Sequence, residues 1–372
     1  MKRRSFLSQA SLALGAGVAA TACSQGPSAS SSAKSDEPVR HWKMVTSWPL
    51  NFPGLGVGAN TLAEMITKLS GGRIVVKVYG GGELVPAFEV FDAVSRGTAE
   101  LGHTASYYWK GKAPAAQFFA AVPFGMNAQE ANGWLYYGGG LELWRELYSP
   151  FNLVPFPAGN TEVQMGGWFN KEINSVADLA GLKMRIPGLG GEVLRRAGGT
   201  PVSLPGAELF TALQSGTIDA TEWVGPYNDL AFGLHKAARY YYYPGWHEPG
   251  PTLELMVNKE LYDSLPEDLQ QIVAVAAQAA NMDMASAYVA NNYSKLQSLI
   301  KDHNVQLRRF PDDVMARLQE ISKEVVAEIG QTDELSDRIY RSYTEFQAGV
   351  SEWHELSERA YYQVRSGDGQ GC

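Results

Sequence analysis

An α/β protein built from two similar lobes is the fold class this sequence predicts, on three observations. Residues 42–47 and 74–79 read as strands flanking residues 56–69, where Leu62, Met65, Ile66 and Leu69 recur at helical spacing. Strand, helix, strand in that rhythm points to a largely parallel sheet. Second, Phe91-Asp-Ala-Val-Ser-Arg-Gly-Thr-Ala-Glu-Leu aligns with Phe210-Thr-Ala-Leu-Gln-Ser-Gly-Thr-Ile-Asp-Ala. In each copy a short helix ends at a glycine, Gly97 or Gly216, that supplies a left-handed cap, and a strand starts at Thr98 or Thr217. The alternative is chance recurrence of a common unit. Third, 372 residues that are 45% hydrophobic can bury one large core or two smaller ones, and the length favours two.

Taken in order, the chain opens with a targeting segment, residues 1–22. Lys2-Arg3-Arg4 precedes Ser5-Phe6-Leu7 and an Ala/Leu/Gly-rich run to Ala22, so Arg-Arg-x-Phe-Leu resembles a twin-arginine export signal. The run is too short for a stable membrane span. Ala20-Thr-Ala-Cys23 resembles a lipobox with Cys23 as the lipidated residue, although Ala20 stands where leucine is usual. The same residues satisfy an A-x-A cleavage site, which would leave Cys23 an ordinary thiol. Residues 23–38 are Ser-rich and read as a flexible tether.

Lobe 1 is expected over residues 39–160, with part of 250–300 returning to it. Gly71-Gly72 ends its first helix, and His103 to Trp109 follow its copy of the repeated unit. Lobe 2 is expected over 161–248, with part of 300–330 returning. Residues 161–169 form a strand at the crossing. Ser175 can cap a helix-and-turn over 174–182 that leads into a strand at 183–186. Tyr240 to Tyr243, ahead of Pro244-Gly245, read as strand and hinge packing. Residues 263–290 are Ala-rich with Leu, Ile, Val and Met at helical spacing, long enough to span both lobes. A final helix over 334–364 places Ile339, Tyr343, Phe346, Val350, Trp353, Ala360 and Val364 near one seam, with Leu356 beside it. Such a seam needs a partner, either its own lobe or a second copy, so residues 331–372 read as a dimerisation helix with a polar tail.

A net charge of −8 argues against nucleic acid or an anionic membrane as the main partner, while leaving room for a small anion held by local charge. The two cysteines, Cys23 and Cys372, have no CxxC partner, and the six histidines show no H-E-x-x-H spacing. Gly188-Leu-Gly-Gly191 is not a phosphate loop, because no Lys-Ser/Thr follows and Glu192 would repel phosphate. No nucleophile is paired with a base, so the sequence reads as that of a binding protein and not an enzyme.

The candidate site lies between Gly181 and Tyr243. Arg185 sits in an apolar strand before a Pro/Gly turn, and Glu222 follows a second strand-like run and precedes Trp223. Parallel sheets present ligands at the carboxyl ends of their strands. Arg185 offers two parallel N–H donors that match a carboxylate; its bland alternative is a salt-bridged strand-end arginine. Glu222 alone could be a helix cap, an ion-pair partner or a general base. Trp48, Phe52, Tyr107, Tyr108 and Trp109 are aromatic candidates for the opposite wall.

Arg185-Ile-Pro-Gly-Leu-Gly-Gly, Gln214-Ser-Gly-Thr-Ile-Asp-Ala-Thr-Glu-Trp223, Tyr241-Tyr-Tyr-Pro-Gly-Trp246, Ala105-Ser-Tyr-Tyr-Trp and Gln164-Met-Gly-Gly-Trp together resemble the DctP-type solute receptors of TRAP transporters. The branch most similar binds 2-oxo acids and lactate. The resemblance implies a two-lobe periplasmic-binding-protein-like fold with a long bridging helix, closing over a carboxylate with a co-bound metal ion. It carries the ligand arginine onto Arg185 and the metal ligands onto Gln164, Glu222 and the main-chain oxygen of Trp223. It also implies delivery to TRAP membrane subunits and a dimer through the C-terminal helix.

On that reading a cation between Glu222 and an anionic ligand removes their repulsion. All-oxygen ligation suits Na⁺, Ca²⁺ or Mg²⁺ and not zinc. With one protein carboxylate, Na⁺ is preferred over Ca²⁺. The rival readings are an exported metal-dependent lyase or hydrolase using Glu222 as base, and a chemosensory receptor of the same fold.

Overall fold

Two mixed β-sheets organise the chain in a computed structural model that describes residues 38–366. The signal segment, Cys23, nearly all of the tether and the end of the tail, with Cys372, lie outside the described residues. The strands are β1 (Arg40–Thr46), β2 (Ile74–Tyr79), β3 (Leu101–Thr104), β4 (Leu153–Asn160), β5 (Gly167–Phe169), β6 (Lys183–Arg185), β7 (Thr200–Val202), β8 (Ala220–Thr221), β9 (Tyr240–Tyr243), β10 (Thr252–Asn258) and β11 (Gln306–Arg309). The α-helices are α1 (Leu55–Leu69), α2 (Val90–Ser95), α3 (Ala128–Tyr137), α4 (Gly140–Tyr148), α5 (Gly188–Arg196), α6 (Leu209–Gln214), α7 (Pro226–Phe232), α8 (Lys259–Asp263), α9 (Glu267–Lys301), α10 (Asp312–Gly330), α11 (Glu334–Leu356) and α12 (Glu358–Ser366).

The first sheet runs β2-β1-β3-β10-β4 and the second β7-β6-β8-β5-β9-β11. Read in those directions, both pass through two parallel pairings and then two antiparallel ones, and β11 adds a parallel edge to the second. The repeated sequence unit occupies matching places in this scheme. Helix α2 leads to β3 and α6 to β8, and each strand lies between one parallel and one antiparallel neighbour. Gly97 and Gly216 both take φ near +74°, at 74° and 73°, where a side chain would be strained. The strands begin at Leu101 and Ala220, three residues later than the threonines suggest. Thr98 N–H and Ile218 N–H are still closing the helix ends, on Ala93 and Ala212 carbonyls.

The long helix begins later and runs further than its Ala-rich pattern. Pro266 separates α8 from α9, which then extends 35 residues, about 50 Å at 1.5 Å per residue. Its first half packs on α1 and β4 of the first lobe through Leu269, Val273, Ala276, Ala277 and Ala280. Tyr288 and Leu299 join a core shared with Trp168, Trp223 and Tyr241 of the second. One helix therefore belongs to both lobes. Among the described residues no helix is long and apolar enough to cross a membrane.

The C-terminal helix is not continuous. It breaks at Ser357 into α11 and α12. The first part of its seam is spent on the chain itself: Ile339 and Tyr343 are buried, Phe346 and Val350 pack on the core, and Tyr343 accepts a bond from Met126 N–H at 3.0 Å. Trp353, Leu356 and Val364 remain 61%, 79% and 77% exposed. The break at Ser357 and the switch from buried to exposed come in the same region, and Glu130 of α3 reaches as far as His354 in the last turn of α11.

Two buried groups hold the first-lobe loops that approach the second lobe. Trp48 Nε1–H donates to His103 Nδ1 at 2.8 Å, and Trp109 Nε1–H to Glu254 Oε1 at 2.7 Å. Burial drives Glu254 up to about 8, against the bonds from Trp109 and Tyr148. Between its unfolded value near 4.5 and about 8, the folded chain keeps a proton that the unfolded chain has released. Stability therefore falls as pH rises through that window, by up to about 1.4 kcal/mol per pH unit. Asp229, raised to about 7 by burial, adds a slope of the same sign. Glu254→Gln keeps the acceptor for Trp109 and loses the charge. Chemical unfolding at pH 5 and pH 8 should show the variant little changed at the lower pH and more stable than the parent at the higher; equal slopes would rule out an ionising Glu254.

Candidate functional site

Three chain segments converge where the sheets face each other. Strand β6 alternates an exposed Lys183 with buried Met184 and Arg185, so Arg185 ends the strand pointing inward. Strand β8 hands over to Glu222, whose N–H bonds to the Arg185 carbonyl at 3.2 Å. The third segment is the turn after β9. There Gly245 N–H bonds to the Gln164 carbonyl at 3.0 Å, and Gln164 N–H to the Glu248 carbonyl at 3.2 Å. Gly188 takes φ +61°, and any Cβ there would lie 3.2 Å from the Tyr107 Cβ. That glycine lets the 106–109 turn of the first lobe close against the start of α5.

Arg185 is buried and fully engaged. Its Nη1 pairs with Glu222 Oε1, its Nη2 donates to Tyr108 Oη at 3.3 Å, and its Nε donates to the Leu204 carbonyl at 3.1 Å. The guanidinium also lies 5.2 Å from the centre of the Trp223 ring. Burial, the largest influence, opposes its charge, but Glu222 together with Tyr108, Tyr107 and Glu248 offsets that and holds its pKa above the ordinary value.

The sequence did not single out two neighbours. Glu248 is buried, accepting from Gln164 Nε2 at 2.8 Å and from Tyr107. His247 Nε2 stands 3.4 Å from Glu222 Oε2. Ligand atoms of Glu222, His247 and Glu248 all fall within 4.8 Å of one another. Glu222 thus pairs with the guanidinium while Glu248, close beside it, also feels that charge, and all three groups are buried. Burial, and then repulsion from Glu222, push the Glu248 carboxyl well above the usual range. Gln164 Oε1 and Glu222 Oε2 are buried without a hydrogen-bond partner. Orphaned oxygens beside a buried carboxyl group that can exchange its proton for a metal ion are the donor set of a hard cation. The residues fit one.

Of the aromatic candidates, Tyr107 and Tyr108 reach this centre and three do not. Trp48 and Trp109 are committed to His103 and Glu254, and Phe52 stacks on Phe232 at 4.1 Å. Trp223 lies between, its ring facing Arg185 on one side and meeting Phe52 and Phe232 edge-on. The signal for Glu248 was the His-Glu pair inside a Pro/Gly loop joining two strands, Pro244-Gly-Trp-His-Glu-Pro-Gly250.

Such a fold and such a site are those of a two-lobed solute-binding receptor. Residues 45–333 match the bacterial extracellular solute-binding proteins of family 7, DctP. The sequence is 44% identical, over 98% of this chain and 99% of the relative, to a monocarboxylate 2-oxoacid-binding periplasmic protein of Nostoc sp.. A TRAP periplasmic solute-binding protein from Pseudoalteromonas atlantica T6c, solved with sodium and pyruvate, is 45% identical with a TM-score of 0.85, covering 88% of this chain and 99% of that one. One from Colwellia psychrerythraea, solved with calcium and pyruvate, is 46% identical with a TM-score of 0.85, covering 88% and 100%. The chain belongs to the DctP family of TRAP solute-binding proteins: it is an extracytoplasmic receptor and not an enzyme.

Proposed function

We propose that this receptor captures a small monocarboxylate, a 2-oxo acid such as pyruvate or else lactate, together with a hard cation, by closing its two lobes, and delivers it to TRAP membrane subunits. The observation that carries this reading is a buried Arg185–Glu222 pair with a second buried carboxyl group, Glu248, close beside it. Arg185 would receive the ligand carboxylate, and Glu222, now its partner, would help hold the cation. Tyr107 and Tyr108 line the ligand. Gln164 Oε1, Glu222 and the main-chain oxygen of Trp223 hold the cation, with Glu248 as a further oxygen donor. The cation supplies positive charge to the ligand's oxygens when bound. Water exclusion strengthens every contact of this kind.

The preference for Na⁺ rested on one protein carboxylate. With Glu248 there are two, which matches the charge of Ca²⁺ as well, and the relatives solved with pyruvate hold one ion each way. Mass spectrometry of ligand released from the purified protein, with metal analysis of the same sample, tests the whole reading. A 2-oxo acid or lactate with stoichiometric Na⁺ or Ca²⁺ supports it. A dicarboxylate, an amine or a metal-free acid contradicts it.

The lobes are taken as 39–160 with part of 250–300, and 161–248 with part of 300–330. In support, the first sheet draws its strands from 40–160 and 252–258, the second from 167–243 and 306–309. The segment 331–372 is taken as a dimer contact, supported by the exposed Trp353, Leu356, Tyr361, Tyr362 and Val364. Changing Trp353 and Leu356 together to serine should convert a dimer to a monomer in sedimentation equilibrium; an unchanged mass would remove these residues from any interface. Export by the twin-arginine route and a lipid anchor at Cys23 complete the proposal: loss of export on changing Arg3 and Arg4 to lysine reads the route, and the mass of the mature N-terminal peptide reads the anchor.

A further inference from the structure

Phe52, Pro53 and Asn228 lie away from the polar centre yet join the two lobes directly. The loop after β1 carries Phe52 into the second lobe, where it stacks on Phe232 with ring centres 4.1 Å apart and 26° between planes. The same ring meets Trp223 edge-on at 6.5 Å. Trp223 is seated against Gly206, where a Cβ would fall 2.5 Å from the indole. One residue along the loop, the Pro53 carbonyl accepts from Asn228 Nδ2–H at 2.7 Å. The Asn228 amide is oriented by Tyr288 of α9, whose hydroxyl donates to Asn228 Oδ1 at 2.8 Å. Asn228 is fully buried, and its two bonds leave little freedom to its head group.

The loop that makes these contacts is fixed on its own side. Asn60 Nδ2–H donates to Asn51 Oδ1 at 2.7 Å, and the N–H groups of Phe52 and Val57 close turns on Pro49 and Phe52 carbonyls. Helix α7 is fixed on the other side, since Tyr227 N–H bonds to Asn292 Oδ1 of α9 at 3.1 Å. The joint is therefore two preformed surfaces meeting. It is a contact between the two lobes, and its inner edge is the Trp223 ring that faces Arg185.

We infer that Phe52 and Asn228 are positioning residues for ligand binding: touching no ligand, they hold the closed arrangement through Trp223 and so set how long the ligand stays. This rests on the receptor reading above. Ligand contacts and this clamp are made in the same closed state, so loss of the clamp shifts population toward the open one and weakens binding without altering the chemistry at Arg185. The loss should appear in the dissociation rate, as most affinity differences between related complexes do.

The test is stopped-flow and calorimetry with pyruvate in Na⁺ or Ca²⁺ buffer, on the parent, Phe52→Ala, Phe52→Leu, and Asn228→Ala in a Tyr288→Phe background that leaves no hydroxyl unpaired. Phe52→Ala and the Asn228 variant should each raise the dissociation rate about tenfold at an unchanged association rate, which is tenfold in Kd. Phe52→Leu should recover part of the loss. Melting temperatures of the ligand-free variants should stay near the parent's, a readout that a merely structural role would move. If the parent binds pyruvate and the variants release it at the parent's rate, or lose ligand-free stability in step with affinity, the clamp is wrong and the receptor reading stands. If the parent binds no acid of the class, the receptor reading fails and the clamp fails with it.

Discussion

Arg185→Ala abolishes measurable pyruvate binding, and Arg185→Lys weakens it by about a hundredfold or more. The reasoning starts from the charge count. Among the described residues, Arg185 is the arginine that pairs with Glu222, and its charge also acts on the neighbouring Glu248. Removing it leaves Glu222 buried without its partner and facing the incoming acid, and stripping one partner from a buried pair costs about 3–5 kcal/mol. Lysine restores the charge as a point and not as a planar fork. It cannot serve Tyr108, the Leu204 carbonyl and a ligand carboxylate at once, and the bidentate geometry is lost. Calorimetric titration with pyruvate reads both variants. Unchanged affinity in the lysine variant would remove the guanidinium from the ligand site.

Exchange of Na⁺ and Ca²⁺ for a bulky organic cation has the second-largest expected effect, a fall in pyruvate affinity of about a hundredfold. Glu222→Gln should lower affinity to a similar extent and make what remains indifferent to the ion. The physical ground is the same excess of buried negative charge. Without a counter-charge, closing the lobes over a further carboxylate means burying three acids against one arginine, and an unpaired buried ion costs several kcal/mol. With a hard cation in place, the orphaned Gln164 Oε1 and Glu222 Oε2 acquire a partner. Titrations in buffers that hold choline, Na⁺ or Ca²⁺ as the sole cation separate these cases. Equal affinity in all three would leave those oxygens without a function.

Much of this was legible in the residues. The repeated helix–glycine–strand unit announced itself because a left-handed cap is a local demand that only glycine meets cheaply, and Gly97 and Gly216 both answer it. Arg185 and Glu222 were legible because a buried strand end with a charge on it is rare enough to need a reason. Glu248 was not. It meets Gln164 across 84 residues of sequence, a contact that exists because β5 pairs with β9 in the second sheet, and no local pattern encodes which strands become neighbours. Phe52 is one of five aromatic wall candidates, of which only one or two are expected at the ligand. It is aromatic and near the cleft, yet its surface is taken up by Phe232 and Trp223. The break at Ser357 escaped notice because the apolar spacing continues past it, while the surface available to cover that spacing does not.

A crystal structure of the receptor with pyruvate tests the central claim most directly. The acid's carboxylate is expected on the Nη atoms of Arg185, with one cation bonded to oxygens of Gln164, Glu222 and Glu248 and to the acid itself. Pyruvate lodged elsewhere, or Arg185 still paired with Glu222 and no ion beside them, would contradict it.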